Sequence, residues 1–482
     1  RLRQEEVERN TSQTGTPRLD ANRSEIVARV KSEPVLYWEP PRIREGELPL
    51  PLAQLREAFF DGARPGRALE AIYRRLRRSP SDMRKVLLTE GYVYAESPGL
   101  AVLLGRVALD HLFEDAEVFV LRGARLLRAK REKNVYVWQD GPERGTPARL
   151  WLFDRVGSSV DQLLPAKHVA VPASAVLPAR AFAVERLTER GVLAQATIGD
   201  RTARVLFSVQ DGGLRFDCAR GLDRTTLDVE RARMLRERRV LAAMEAGIAE
   251  QLAEGLPFDE PKTEDGQQDG KLRPEWRKAY REGLDSFEFN GDTYDVFDSS
   301  GRPRVPQVCA DFVVDTWERM AGTRWLPRQQ GRGRRVGRLD FDALPIENRR
   351  SVEQLIEFAR MHPEWFELLE IPEHRRVAFS ERKRFFRRLY EQRDAFRPGD
   401  VVAVLGPRDD ERLHYHSFFI VAADPITGMP TRVAANAGRP RIRSWEAELE
   451  NAPKRGIVAR IRPHLEWLEA LLQPETASTQ GT

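Results

Sequence analysis

Cysteine is the scarcest reactive residue in this chain: there are two in 482 residues, Cys218 and Cys309. Two are too few for a disulfide framework. No Cys-x-x-Cys pair and no His-Glu-x-x-His run offers metal-ligand spacing. No glycine-rich phosphate loop follows a strand-like run, which argues against a nucleotide. Long apolar runs are missing too; none reaches the roughly 18 residues of a membrane-spanning helix. Charge of one sign is barely in excess, because 79 Lys and Arg against 74 Asp and Glu give +5. A nucleic-acid partner would need a clustered basic surface instead. The expectation is therefore no metal, no cofactor, no nucleic acid and no transmembrane segment. Arg1 rather than methionine leads the chain, which leaves open a signal peptide or lipid anchor ahead of it.

What is present suits a chain with real cores. Hydrophobic residues make up 41% and charged residues 32%, and the length predicts roughly two or three domains. Residues 1–45 are polar and read as an extended tether, with a short helix over Ser24 to Val30. Residues 46–165 read as a mixed helix and strand accessory domain. Leu55, Phe59, Leu69, Ile72, Tyr73 and Leu76 recur at helical spacing, and 83–113 predicts two further amphipathic helices broken at Ser97-Pro-Gly99. Strand-like runs follow at 118–121, 135–138 and 150–153.

Residues 166–225 read as a β meander with turns at Asp200 and Asp211-Gly-Gly213, and Cys218 is expected to be a packing residue in its last strand. Residues 226–258 predict one long connecting helix, rich in Glu and Arg at pairing distances. The polar stretch 259–273 reads as a linker and as the best boundary in the chain. Residues 274–470 form the next unit, and 471–482 a disordered tail. The fold class expected is α+β.

The stretch Val305-Pro-Gln-Val-Cys309-Ala-Asp311-Phe-Val-Val-Asp315-Thr-Trp317 organises that last unit. Apolar residues recur at helical spacing from Cys309 onward, so the cysteine falls in the first turn of a buried helix. Unpaired N–H groups and the positive dipole end favour a thiolate there. A cysteine nucleophile also needs a base and a group to orient it. Five of the seven histidines stand alone: His111, His168, His362, His374 and His464. His414 and His416 open an apolar strand and share one face by alternation. His416, beside Phe418-Phe-Ile-Val, reads as the base and His414 as a rim residue; Asn436 on the next strand reads as the orienting group. Asp311 is expected to cap or pair locally.

The order of these residues resembles the NlpC-type cell-wall cysteine peptidases, which have papain-like folds with a Cys helix on an antiparallel sheet. In that family a Cys begins the central helix, Pro-Gly-Asp opens a core strand, His opens the next, and His, Asn or Gln follows. The matching positions are Cys309, Pro398-Gly-Asp400, His416 and Asn436. An uncharacterised branch with a Val-Cys-Thr-Asp-Val-Val helix start is closer. It matches Val308-Cys-Ala-Asp311-Phe-Val-Val, Ala435-Asn436-Ala-Gly438 and the basic segment Glu347-Asn-Arg-Arg350. The common family start is Asp-Cys-Ser-Gly, which this chain lacks, and Asp424 to Pro430 adds a hairpin insertion.

The resemblance covers residues 274–465. It implies a thiol-dependent hydrolase acting on an amide bond of peptidoglycan peptides in the bacterial envelope, periplasmic, secreted or lipid-anchored. Cys309 would be nucleophile, His416 base and Asn436 orienter. Tyr294 would stand for the family's tyrosine near the oxyanion hole, with His414 and Asp311 as further substrate-side residues. Two rivals stand beside it: a non-catalytic envelope scaffold with a papain-like fold, and the same chemistry on a lipid ester or isopeptide. The arginine- and glycine-rich run 328–338 reads either as an anion-binding loop or as a solvated one.

Overall fold

The computed structural model describes residues from Tyr92 to Gln473, except 98–99, 106–116, 123–124, 133–134, 154–169, 189–190, 211–212, 220, 263–269, 329–333, 408–411, 424–427 and 429. The tether, the helices predicted before residue 78, the tip of the 424–430 insertion and the tail beyond Gln473 lie outside the described residues. The chain is α+β with antiparallel sheets. It divides into two compact units, residues 1–235 with 423–429, and residues 236–422 with 430–482.

The first unit contains two sheets. Strands β1 (Tyr92–Ser97), β2 (Leu100–Gly105), β3 (Glu117–Arg122), β4 (Arg125–Glu132), β5 (Val135–Trp138), β6 (Pro147–Phe153) and β7 (Ala170–Pro172) form a seven-stranded sheet. Its order is β2-β1-β6-β5-β4-β3, with β7 parallel to β6. Where the stretch 83–113 is described it is not helical as predicted: Tyr92–Ser97 and Leu100–Gly105 are the paired strands β1 and β2, Ser97 opposite Leu100. Tyr-Val-Tyr and Val-Leu-Leu carry aromatic and β-branched residues that fit a pleated surface.

Strands β8 (Ala181–Thr188), β9 (Gly191–Ile198), β10 (Arg201–Gln210) and β11 (Gly213–Ala219) form the second sheet as a simple meander. Its core gathers Phe182, Val192, Ala194, Ala196, Val205 and Phe207, with Phe182 and Phe207 edge to face at 5.6 Å. Cys218 lies in β11 opposite Leu206.

Helix α1 (Arg224–Glu254) carries the boundary between the two units within it, and Gly255, at φ +59°, ends it. The second unit continues with α2 (Pro274–Glu282), the hairpin β12 (Ser286–Phe289) and β13 (Asp292–Asp295), and α3 (Cys309–Met320). The short strands β14 (Arg324–Leu326) and β15 (Arg334–Val336) then pair, so the arginine-rich run ends in a strand.

Next come α4 (Val352–Met361), β16 (Phe366–Glu370), α5 (Arg382–Glu391), β17 (Val401–Pro407), β18 (Leu413–Ala423), β19 (Pro430–Asn436), β20 (Pro440–Ser444), α6 (Trp445–Asn451), β21 (Gly456–Pro463) and α7 (Leu465–Leu472). The six strands order as β16-β21-β17-β18-β19-β20.

The sheet is covered on both faces, which is why β18 reads as a nearly unbroken apolar run. On one face α3 packs through Phe312 and Trp317 against Phe419, at 6.5 and 6.1 Å between ring centroids, and Trp467 of α7 meets Trp317 at 5.6 Å. Val401, Ala403, Ala434, Ala459 and Ile461 belong to the same core. On the other face Phe418 meets Trp445 of α6 at 5.2 Å, and Trp445 meets Phe385 of α5. Burial of each large ring stabilises on the order of 2–3 kcal/mol.

Two sequence features take structural roles. Pro398-Gly-Asp400 is a turn in which Gly399 sits at φ +95° and its N–H bonds Ile420 O. Asp400 accepts from Arg397 N at 2.7 Å and is gripped by Arg462 at 2.7 and 2.8 Å. The described part of the expected linker is tied down rather than free. Asp259 N bonds Gln307 O, Gln307 N bonds Pro257 O, and Arg350 holds the carbonyls of Asp259 and Gly270.

Candidate active site

The chain enters α3 along a short parallel bridge, Phe258 with Gln307, and Val308 stays extended at φ −112°. Val308 N donates to Asp311 Oδ2 at 3.0 Å, half of a capping box. The first internal helix bond is Phe312 N to Val308 O, so the N–H groups of Cys309, Ala310 and Asp311 have no acceptor within the helix. Cys309 thus stands at a helix start beneath the sheet, as its sequence position predicts.

Its thiol behaves differently from the expectation. Cys309 is 6% exposed, and burial pushes its pKa up from 9.0 to about 11. The negative charge of Glu260 adds to the rise, while the N–H and hydroxyl of Ser417 and the charge of Arg455 pull the other way. Desolvation outweighs the helix N-terminus, so the resting sulfur is a thiol rather than a thiolate.

The strand alternation explains why Ser417, and not a histidine, faces the sulfur. Phe419 lies on the α3 side, so Ser417 and Tyr415 do too. His416 belongs to the opposite row with Phe418, whose ring lies 6.0 Å from the imidazole and packs on Trp445. The expected pairing of Cys309 with His416 is therefore not formed; a shift of one residue along a strand exchanges the faces. His414, at the less buried head of β18, places Nε2 4.0 Å from Glu260 Oε2, and both side chains are about nine-tenths buried. The charge of Glu260 thus acts on Cys309 while its carboxylate meets His414. Glu260 sits in the stretch read as a linker, and only its nearness to Gln307 in the fold brings it to the site.

Asn436 does not orient His416 either. Fully buried, it donates Nδ2 to Gln307 Oε1 and to Leu256 O, each at 3.1 Å. Gln307 passes the chain on, donating to Gln251 Oε1 and Asp315 Oδ2 at 2.6 Å each. Gln251 then donates to Thr316 Oγ1 at 2.7 Å and to Phe312 O at 3.2 Å. Asn436 Oδ1 has no hydrogen-bond donor among the described residues. Sequence reasoning missed Gln251 and Gln307; two glutamines amid apolar helix-forming residues, bound to be buried, were the available signal.

Asp311 caps and pairs as expected. Besides Val308 N it meets Arg350 Nη1 at 2.6 Å and Arg349 Nε at 3.6 Å. Asp315 and Glu318, further along the same helix face, bind Arg349, and Glu318 also binds Arg335. The basic segment ending in Arg350 is the counter-charge of α3. Tyr294 is 41% exposed on β13, stacked on Phe287 at 5.4 Å, and makes no described contact with Cys309.

The site therefore offers one buried thiol at a helix start, backbone N–H groups with no acceptor within the helix, an acid and imidazole pair, and an amide oxygen with no donor among the described residues. Among the described residues no group of three or more His, Cys, Asp and Glu is placed to hold a metal ion, and no helix is long and apolar enough to cross a membrane. No protein-family model, curated protein or solved structure matches the chain.

Proposed function

We propose that the second unit is a thiol-dependent amide hydrolase of papain-like type, with Cys309 as nucleophile, acting on the peptide part of bacterial peptidoglycan. The observation that carries this reading is the placement of Cys309: a lone described thiol in the first turn of a buried helix, packed on an antiparallel sheet and within the field of the Glu260 carboxylate. Helix starts of this kind supply N–H donors where an oxyanion develops.

The Glu260–His414 pair is the base in this reading: His414 shares the row of His416 on β18, so it meets the thiol only through Glu260, whose charge acts on Cys309. Sulfur attacks the amide carbonyl as its proton passes by way of Glu260 to His414, and the Glu260 carboxylate steadies the imidazolium. The N–H groups of Cys309 and Ser417 receive the carbonyl oxygen. The amine leaves with the proton from His414, and water then cleaves the thioester, its proton returning to the imidazole. Asn436 Oδ1 is an acceptor for a substrate N–H. A lipid ester or an isopeptide would suit the same steps.

A non-catalytic envelope scaffold is the second reading, and the raised thiol pKa favours it. Digestion of purified peptidoglycan followed by mass spectrometry separates the two. The hydrolase reading expects new amine ends with the native chain and with Cys218→Ala, at least ~100-fold fewer with Cys309→Ala or His414→Ala, and near-native yield with a folded His416 variant. Equal yields from the Cys218 and Cys309 variants would leave the scaffold.

A further inference from the structure

A cavity of about 990 Å3 runs along the flank of α3, away from the Cys309 sulfur, between that helix, the β14–β15 hairpin and the loop through Arg302 and Arg304. Both signs of charge line it, but they are not equally occupied. Asp311, Asp315 and Glu318 on its floor are bound by Arg350, Arg349 and Arg335. Glu250 and Glu254 are bound by Arg319 and Arg324. Asp342 is held by Arg335 at 2.9 Å.

Further basic groups line the cavity. Arg277 and Arg304 line the cavity and have no ion pair among the described residues. Arg302 reaches Ser300 Oγ at 3.1 Å, and its charge lies near Asp298, whose carboxylate is already met by the N–H groups of Ser300 and Arg302. Trp325 is also on the lining. Only Glu347 is an acid on the lining without a described partner. Guanidinium groups left free in a concave site are forks for carboxylate or phosphate.

We infer that this cavity binds an acidic oligomer, a chain carrying carboxylates or phosphates, with Arg277 and Arg304 as its anchors. Binding there is independent of any chemistry at Cys309. Both anchors are unengaged and at least partly exposed, so replacing them leaves the fold intact; a thermal melt of each variant checks this.

The test is calorimetric titration of the full chain with tripolyphosphate and, separately, with a short poly-L-glutamate. Saturable binding of one or both is expected, and the arm that binds more tightly names the anion. Arg277→Ala/Arg304→Ala should weaken it by about tenfold or more, Glu347→Gln should tighten it, and Arg384→Ala, at an exposed side chain of α5, should leave it unchanged. Absence of binding in both arms, or an equal loss with Arg384→Ala, would overturn the site.

Discussion

Asn436 gives both of its amide hydrogens to oxygens, Gln307 Oε1 and Leu256 O, each 3.1 Å away. Turning the amide over would set its carbonyl against two acceptors, so its orientation is determined by its partners. The oxygen that remains is the acceptor end of a relay running through Gln307 and Gln251 into the first turns of α3. One buried polar chain thus joins β19, the approach to Cys309 and the end of α1.

Gln307 is the centre of that relay, so its loss is costly. Gln307→Ala removes three hydrogen bonds, leaving buried Gln251 Oε1 without its donor and one of the two amide hydrogens of Asn436 without its acceptor. Destabilisation of about 2–4 kcal/mol is expected in urea unfolding. A change below about 0.5 kcal/mol would show that water replaces the side chain without penalty.

The thiol at Cys309 has a pH signature. Its pKa is raised by burial from 9.0 to about 11, so the folded state favours the neutral form. The stabilisation this gives is complete below pH 9 and is lost as pH rises through 11; its full size is on the order of 2–3 kcal/mol. In a Cys218→Ala background, iodoacetamide should modify Cys309 slowly at pH 8, with the rate rising about tenfold per unit toward pH 11. A rate that levels off between about pH 9 and 10 would mean an ordinary exposed thiol.

Much of this architecture is legible in local pattern. Cys309 through Trp317 shows its helical period, Pro398-Gly-Asp400 its turn, and the meander of β8 to β11 its alternation. What alternation could not tell was which row of β18 meets α3. Both faces of that sheet are covered, so Phe418 and Phe419 are equally apolar, and the choice rests on Trp317 and Trp445, far away in sequence. Glu260 was hidden for a similar reason: a polar run reads as solvent-exposed unless the partners that pin it, Gln307 and Arg350, are known. The run 92–105 misled because hydrophobic residues at mixed spacing fit either period, and only the pairing of Ser97 with Leu100 decides.

Glu245 supplies a second pH test, independent of the site. It lies half-buried on α1 between buried Met244 and Ile248, and desolvation raises its pKa from 4.5 to about 7. The folded state therefore favours the protonated acid, and stability falls as pH rises from 4.5 through 7. Glu245→Gln should match the native chain at pH 4.5 and exceed it at pH 8, by less than about 1 kcal/mol because the group is partly solvated. Urea midpoints at both pH values measure this; a variant less stable at pH 8 would mean that the carboxylate has a favourable partner.

Arg350 tests whether the basic segment is structural. Its guanidinium meets Asp311 at 2.6 Å and also holds the carbonyls of Pro306, Asp259 and Gly270. It therefore fixes both the approach to Cys309 and the stretch that carries Glu260. Arg350→Met leaves a carboxylate buried beside Arg349, at the longer distance of 3.6 Å, and frees three carbonyls. A loss of about 3–5 kcal/mol is expected, because removing one partner of a buried pair costs more than the pair contributes. Arg350→Met/Asp311→Leu should recover part of it, though not all, since Asp311 also caps Val308 N. The coupling between the two substitutions in a double-mutant cycle is the readout; strictly additive losses would show that Arg350 acts through the carbonyls alone, and the charge on Asp311 would then be held by Arg349.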